Sequence, residues 1–257
     1  LGTVANPRQG LATGENNRFL RNWYEPSLNN VGFYSSDSSL ALSSNKKWFP
    51  YNKGGDFRRW YGNQEFVVNW ANDGFEIKNF FDENSKLRSR PQNTQYFFRE
   101  SASWSKITSG NFCLRYFPPG FIFDVAGCSI FSEDKSTLLS ILGSMNSPVM
   151  KNTISAISPT LNFEVGQIAN FPVLQVVING IGTAIVRKLI DYSKIDWDSY
   201  ETSWDFSVLP LTKVEHYPVP LAVSHKYKQL RAEWQAMTEE TQRLEEENNH
   251  IFIEAYC

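Results

Sequence analysis

Between residues 46 and 61 five cations, Lys46, Lys47, Lys53, Arg58 and Arg59, are interleaved with Trp48, Phe49, Tyr51, Phe57, Trp60 and Tyr61. Cations at this density neutralise phosphates, and an arginine fork reaches the O6 and N7 edges of guanine with two hydrogen bonds. The simpler reading of each aromatic, taken singly, is a core side chain. A second polar stretch holds Arg88, Arg90, Gln92, Asn93 and Gln95, the side-chain types that read guanine and adenine edges. Nine candidate contacts follow from the two stretches: Lys46, Lys47, Lys53, Arg58, Arg59, Arg88, Arg90, Asn93 and Gln95.

Other chemistries are poorly served. Asn179-Gly180-Ile181-Gly182 opens a helix after an apolar run, as a dinucleotide fingerprint does. Ile185 stands where a small residue is needed, and no acidic residue follows at the right distance, so a tight turn is the better reading. Asp56 with Glu76-Ile77-Lys78 superficially fits a metal nuclease, but such triplets are common and this one directly follows a turn. No Gly-x-Ser-x-Gly elbow supports a serine nucleophile. Asp196-Trp197-Asp198 reads as a cap and surface anchor. His216, His225 and His250 lie outside any metal-ligand spacing, and no metal site is expected. Cys113, Cys128 and Cys257 form no C-x-x-C pair, which predicts a reducing compartment, the cytoplasm.

The elements that must position these residues belong to a chain of 257 residues with 41% hydrophobic and 20% charged residues, a globular composition. It opens on Leu1 and reads as a piece of a longer protein. The longest apolar stretch, Phe171 to Val186, is interrupted by Gln175, Asn179 and Thr183, so no membrane span is expected. The net charge of −2 hides an asymmetry: residues 1–120 hold 15 Lys+Arg against 10 Asp+Glu, and residues 121–257 hold 10 against 17. A basic half beside an acidic half suggests a polyanion partner for the first.

Strands are expected at 47–51, 66–70, 96–99, 112–116, 121–125 and 171–178. A short helix capped by Asp56 is expected to carry Arg58 to Tyr61, and the Asn72-Asp73-Gly74 turn to close the second strand. Helices are expected at 134–144, 147–157 and 182–192. Residues 1–30 read as loop and turn around a short element at 19–21, and 31–44 as a loop or strand margin. The fold class is α+β: short mixed or antiparallel strands, packed helices and a long C-terminal helix. That helix is marked by Tyr227, Leu230, Trp234, Met237, Thr241, Leu244, Asn248 and Ile251 at alternating spacings of three and four, with Ser224 able to cap it. Its charge is net −3 from Lys226 onward, four cations against seven acids, which opposes phosphate approach. It is expected to pack on its own protein at its N-terminal end and on a further domain at its C-terminal end.

Several of these stretches resemble the C-terminal part of the large bacterial adenine-specific DNA methyltransferases of the PglX type, from BREX phage-defence systems. The resemblance rests on Arg8-Gln9-Gly10-Leu11-Ala12-Thr13-Gly14, Lys47-Trp48-Phe49-Pro50-Tyr51-Asn52-Lys53-Gly54-Gly55, Arg58-Arg59-Trp60-Tyr61-Gly62, Arg115-Tyr116-Phe117-Pro118 and Phe123-Asp124-Val125-Ala126-Gly127, among others along nearly the whole chain. It implies a parent enzyme that uses S-adenosylmethionine to methylate adenine N6, with a target-recognition region after the catalytic domain. Here Phe117-Pro118-Pro119-Gly120 lacks the amide and the stacking ring that hold a flipped adenine, and no glycine-rich methyl-donor loop is present. No catalytic residue and no cofactor are therefore expected in this chain, with S-adenosylmethionine bound elsewhere in the intact protein.

The resemblance implies double-stranded DNA as partner and a methylase domain preceding this segment. The expected division is a junction over 1–30, a target-recognition domain over 31–222 and a helical spacer over 223–257. Arg8, Gln9, Thr13, Gly14 and Asn16 would lie near the methylase junction. The alternatives are a module docking other defence proteins or a phage inhibitor, and, more remotely, a metal-dependent nuclease fragment.

Overall fold

The computed structural model describes residues 1–108, 110–157, 161–212 and 223–256. His216 and Cys257 lie outside the described residues, and Ser224, expected as the cap of the last helix, lies inside that helix instead. The strands are β1 (Asn6–Arg8), β2 (Leu20–Asn22), β3 (Trp48–Asn52), β4 (Phe66–Asn69), β5 (Ser101–Ser105), β6 (Arg115–Phe117), β7 (Ile122–Phe123) and β8 (Gly127–Phe131). The helices are α1 (Asn16–Phe19), α2 (Ser38–Ser43), α3 (Ala71–Lys78), α4 (Lys135–Met145), α5 (Pro148–Ile157), α6 (Val165–Ala169), α7 (Gln175–Ile178), α8 (Thr183–Asp198) and α9 (Val223–Tyr256). The fold is α+β, as the sequence predicts.

Two four-stranded sheets carry it. One runs β1-β8-β5-β6 and is antiparallel throughout; the other runs β2-β4-β3-β7, with β3 and β7 parallel. Residues 1–30 thus supply one strand to each sheet. The sheets meet where β7 passes into β8, and Asn52 of β3 ties them. Its buried amide donates to Ser103 Oγ of β5 at 2.6 Å, to the Gly127 carbonyl at 3.2 Å and to Ser129 Oγ of β8 at 3.3 Å. The first sheet packs against the helical layer through Trp104, Ile130, Leu142, Val186, Leu189 and Phe252. The second encloses a core dense in aromatics, including Phe19, Phe49, Tyr51, Trp70, Phe97, Phe98 and Phe123.

The aromatics of residues 46–61 are therefore core. Trp48, Phe49, Tyr51, Trp60 and Tyr61 are all buried, and only Phe57 among them is exposed. The helix expected after Asp56 does not form. Arg115, fully buried, directs one guanidinium nitrogen to the Asp56 carbonyl at 3.0 Å and the other to Ser105 Oγ at 2.6 Å. Trp60, at φ 70°, exchanges backbone hydrogen bonds with Leu114 and Tyr116. These contacts take the carbonyls and amides that a helix would need, and the segment runs as an irregular strap along β6.

The strand expected at 96–99 is also replaced. Thr94–Tyr96 forms a single tight turn, and Phe98 enters the left-handed region with its amide on the Phe121 carbonyl at 2.8 Å. The rings drive this: Phe97 packs edge-on against Trp70 and Phe123, and Phe98 against Phe49. The apolar run at 171–178 is not a strand either. Phe171 and Val177 are its buried positions, and Gln175–Ile178 closes one helical turn. Within the expected 31–44 loop, Asp37 caps α2 by accepting from the Leu40 amide at 2.8 Å. Asn72, Asp73 and Gly74 lie in the left-handed region after β4, as the turn required.

The long helix α9 has 34 residues and runs about 50 Å. Its packing is the reverse of the expectation. Leu244, Asn248 and Phe252, near its C-terminus, are buried in this domain, whereas Tyr227 and Trp234 are 51% and 44% exposed. Gly143 of α4 decides this. A Cβ there would stand 2.7 Å from both Asn248 Oδ1 and a Val186 methyl, so its absence lets α4, α8 and α9 close together. Asn248 donates to the Gly143 carbonyl at 3.1 Å. No helix among the described residues is long and apolar enough to cross a membrane. Phe252→Ala should cost about 3–5 kcal/mol in urea unfolding, while Tyr227→Ala should change stability by less than about 0.5 kcal/mol. Equal losses would show that the whole helix packs on this domain.

Candidate nucleic-acid interface

Two polar loops, eighty residues apart in sequence, form one surface. Ala12 and Arg90 exchange backbone hydrogen bonds of 3.1 and 2.8 Å. Around this bridge the Gln92 amide donates to the Gly10 carbonyl at 3.3 Å, and the Asn93 amide to the Gln9 carbonyl at 2.9 Å. Gln9 and Arg90 both donate to Gln92 Oε1, at 3.4 and 2.8 Å. Gly14 holds φ at 75°, and a Cβ on it would come within 2.6 Å of the Arg88 carbonyl. Only glycine lets the two loops approach there. Thr13 donates to Asn16 Oδ1 at 2.6 Å, and Arg88 lies 3.8 Å from Glu15.

Lys53 projects from the end of β3 beside this surface. Its ammonium lies 2.8 Å from Asp124 Oδ2, and Asp124 itself is 1% exposed. The same carboxylate accepts from Tyr51 Oη at 2.6 Å and from the Ala126 amide at 2.7 Å. Burial first, and the Asp124 charge second, raise the Tyr51 phenol well above its ordinary range, so it stays a donor. Two open clefts of about 500 and 530 Å³ flank Lys53 and share Asn16 and Asn17 as walls. One adds Thr13, Gly14 and Asp124; the other adds Arg21, Asn22 and Phe66.

Arg21 is a candidate that sequence reasoning missed. It donates to the Asn17 and Leu20 carbonyls, sits 5.4 Å over the Trp48 ring and has no carboxylate partner among the described residues. Its signal was present as a cation just past the glycine-rich loop, but only the β2–β4 pairing turns it onto this face. Arg18 beside it is paired with Glu76 at 2.8 Å.

The remaining predicted residues are placed elsewhere or more loosely. Lys46 binds the Asn29 carbonyl, and Lys47 stands 5.5 Å over the Trp48 ring. Arg8 is half-buried and lies 5.4 Å over Tyr96. Gln95 is exposed and makes no side-chain hydrogen bond among the described residues. Arg58 and Arg59 turn to the helical layer: Arg58 meets Asp196 at 3.3 Å and stacks 4.9 Å over Trp197, and Arg59 meets Glu245 of α9 at 3.1 Å.

Asp56 and Glu76 do not form a common centre. Hydrogen bonds from Arg18 and Asn69 hold the Glu76 carboxyl below its usual range, and Lys78 pairs with Asp73. No group of three or more His, Cys, Asp or Glu among the described residues could hold a metal ion. The Asn179–Gly182 turn follows α7 rather than a strand, so it lacks the setting of a dinucleotide loop.

No protein-family model matches the chain. Comparison with individual proteins is decisive. The chain is 36% identical over its whole length to the adenine-specific methyltransferase PglX of Lacticaseibacillus casei (strain Zhang). Over 84% of its length it is 38% identical to the adenine-specific methyltransferase BrxX of Escherichia coli O9:H4 (strain HS). The chain matches one segment of the PglX-type methyltransferases. It spans 21% and 16% of the length of these two relatives.

Asp124 is expected to matter more than its ion pair alone. Asp124→Ala strands Tyr51, Lys53 and the Ala126 amide together and should cost about 3–5 kcal/mol in urea unfolding. Lys53→Gln leaves two of the three donors in place and should cost clearly less. Equal losses would show that the charge pair, and not the shared carboxylate, holds the site.

Proposed function

We propose that this chain is the DNA target-recognition portion of an S-adenosylmethionine-dependent N6-adenine methyltransferase of a phage-defence system. The observation that carries the reading is the Ala12–Arg90 bridge, which joins two polar loops into one face beside Lys53. Arg88, Arg90 and Gln95 have the donor geometry to read base edges, and Lys53 and Arg21 the charge to hold phosphates. The names of the two relatives support the methyltransferase class. A methylase domain elsewhere in the parent protein would hold the methyl donor and receive the flipped adenine. S-adenosylmethionine binding is assigned to that domain and not to this chain.

The Tyr227–Trp234 half of α9 favours a second role. Its aromatics are exposed, whereas Leu244, Asn248 and Phe252 farther along the helix are buried, which suits contact with the remainder of the parent protein or with another defence component.

Salt titration of duplex binding tests the reading. Arg90→Ala and Arg21→Ala should each lower the slope of log affinity against log salt by about one if the side chain holds a phosphate. A side chain that reads guanine should instead lose roughly 1–3 kcal/mol of discrimination. Arg58→Ala should change stability rather than slope, because its charge faces Asp196. Salt-independent binding, or none, would favour the docking role.

A further inference from the structure

The larger of the two clefts beside Lys53, about 530 Å³, falls within the size of small-ligand sites, roughly 300–1,000 Å³. It has an apolar floor and a polar mouth. In the β2–β4 ladder Leu20 stands opposite Val68 and Asn22 opposite Phe66, so Leu20, Asn22 and Phe66 share one face of the sheet. Leu20 is buried and Phe66 half-buried, and both line the cleft with hydrocarbon. Reading the edge of a paired base needs only donors and acceptors that project into a groove. A recess floored by an aromatic ring suits a base that has left its stack, which is held by a ring on its face and by hydrogen bonds on its edge.

The polar groups of the mouth have bonding capacity to spare. Asn17 accepts from Arg21 through its backbone carbonyl, and Asn22 donates to Glu25 through its backbone amide. The side chains of both asparagines line the cleft and make no hydrogen bond among the described residues. Each carries a carbonyl and two amide hydrogens, the complement of a base edge that offers a donor beside an acceptor. Arg21 donates to two backbone carbonyls and meets no carboxylate among the described residues, so its charge is open to an anion. Lys53, by contrast, is already held by Asp124 at 2.8 Å.

We propose that this cleft takes up one unstacked nucleotide of a DNA strand. The proposal rests on the DNA interface argued above and adds to it a place for a base outside the duplex. The base lies against Phe66 and Leu20, the Asn17 and Asn22 amides bond its edge, and Arg21 meets the neighbouring phosphate. This position is separate from the pocket of a methylase domain that would receive the target adenine.

The test measures binding of the 257-residue chain to three duplexes of one sequence by fluorescence anisotropy. One duplex is fully paired, one carries a single bulged nucleotide, and one carries an abasic bulge at the same place. A bulged base has already left its stack, so that duplex should bind about tenfold more tightly than the paired one. The abasic bulge has the same flexibility but no ring to hold, and should match the paired duplex. Phe66→Leu and Asn22→Ala should each remove most of the preference and leave affinity for the paired duplex unchanged, which also shows that the variants fold. Equal affinity for all three duplexes would overturn the proposal while leaving the interface in place. Equal gains from both bulges would overturn it by assigning the gain to bending, and a preference untouched by either substitution by placing the base elsewhere. Failure of the interface itself reads differently: no salt-dependent binding to any of the three, which fails both readings.

Discussion

The Asp124 carboxylate is the interaction on which the rest of the structure depends. It sits in the three-residue passage between β7 and β8, and so at the point where one sheet gives way to the other. A buried charge is tolerated only when its lone pairs are filled. Tyr51 and Lys53 from the end of β3, and the Ala126 amide from the passage itself, fill them. Tyr51 also donates toward the Leu11 carbonyl at 2.9 Å, which draws in the N-terminal loop. One carboxylate thus fixes the end of β3, the sheet crossing and the loop that carries the candidate interface. It also holds the Lys53 ammonium at the floor of both clefts rather than free in solvent.

Asn52, next to Tyr51 in β3, performs the same service for the sheets. Its amide needs small polar partners close by, and Ser103 and Ser129 supply them from strands that are buried along most of their length. This explains why Ser103 of β5 and Ser129 of β8 stand where a central strand is usually branched and apolar. Larger side chains would push β3 away and leave the Asn52 amide unpaired in the core.

The same fact explains what the sequence could and could not disclose. β3 and β4 were legible because Trp48–Tyr51 and Phe66–Trp70 are apolar runs bounded by turn residues. β5 and β8 were not, since burial on both faces removes the alternation that marks a strand and serine is not a strand signal. The α9 helix was legible from its own periodicity, but its cover was not. Tyr227, Trp234 and Leu244 look equivalent along the seam, and only Gly143, a hundred residues upstream, selects the C-terminal part for burial. At the candidate site the residue types were visible in both loops, whereas their union through Ala12 and Arg90 is a long-range pairing that no local pattern encodes. Arg58 and Arg59 show the opposite case: a dense basic–aromatic motif whose rings are largely core and whose charges are met by Asp196 and Glu245.

That contrast gives the charge asymmetry of the chain a structural meaning. Cations of the basic half are divided by which element faces them. Those of the strap meet the acids of α8 and α9, so part of the negative charge of the second half serves to neutralise the first. On the 9–17 and 88–95 face few acids stand opposite among the described residues: Glu15 lies 3.8 Å from Arg88, and the Arg90 guanidinium donates to the neutral Gln92 amide. A guanidinium held by a neutral amide keeps its charge available to a polyanion, while one paired with a carboxylate must first give up that partner. By this argument the motif with the most cations is the less available to phosphate, and the sparser loop pair is better poised to meet it.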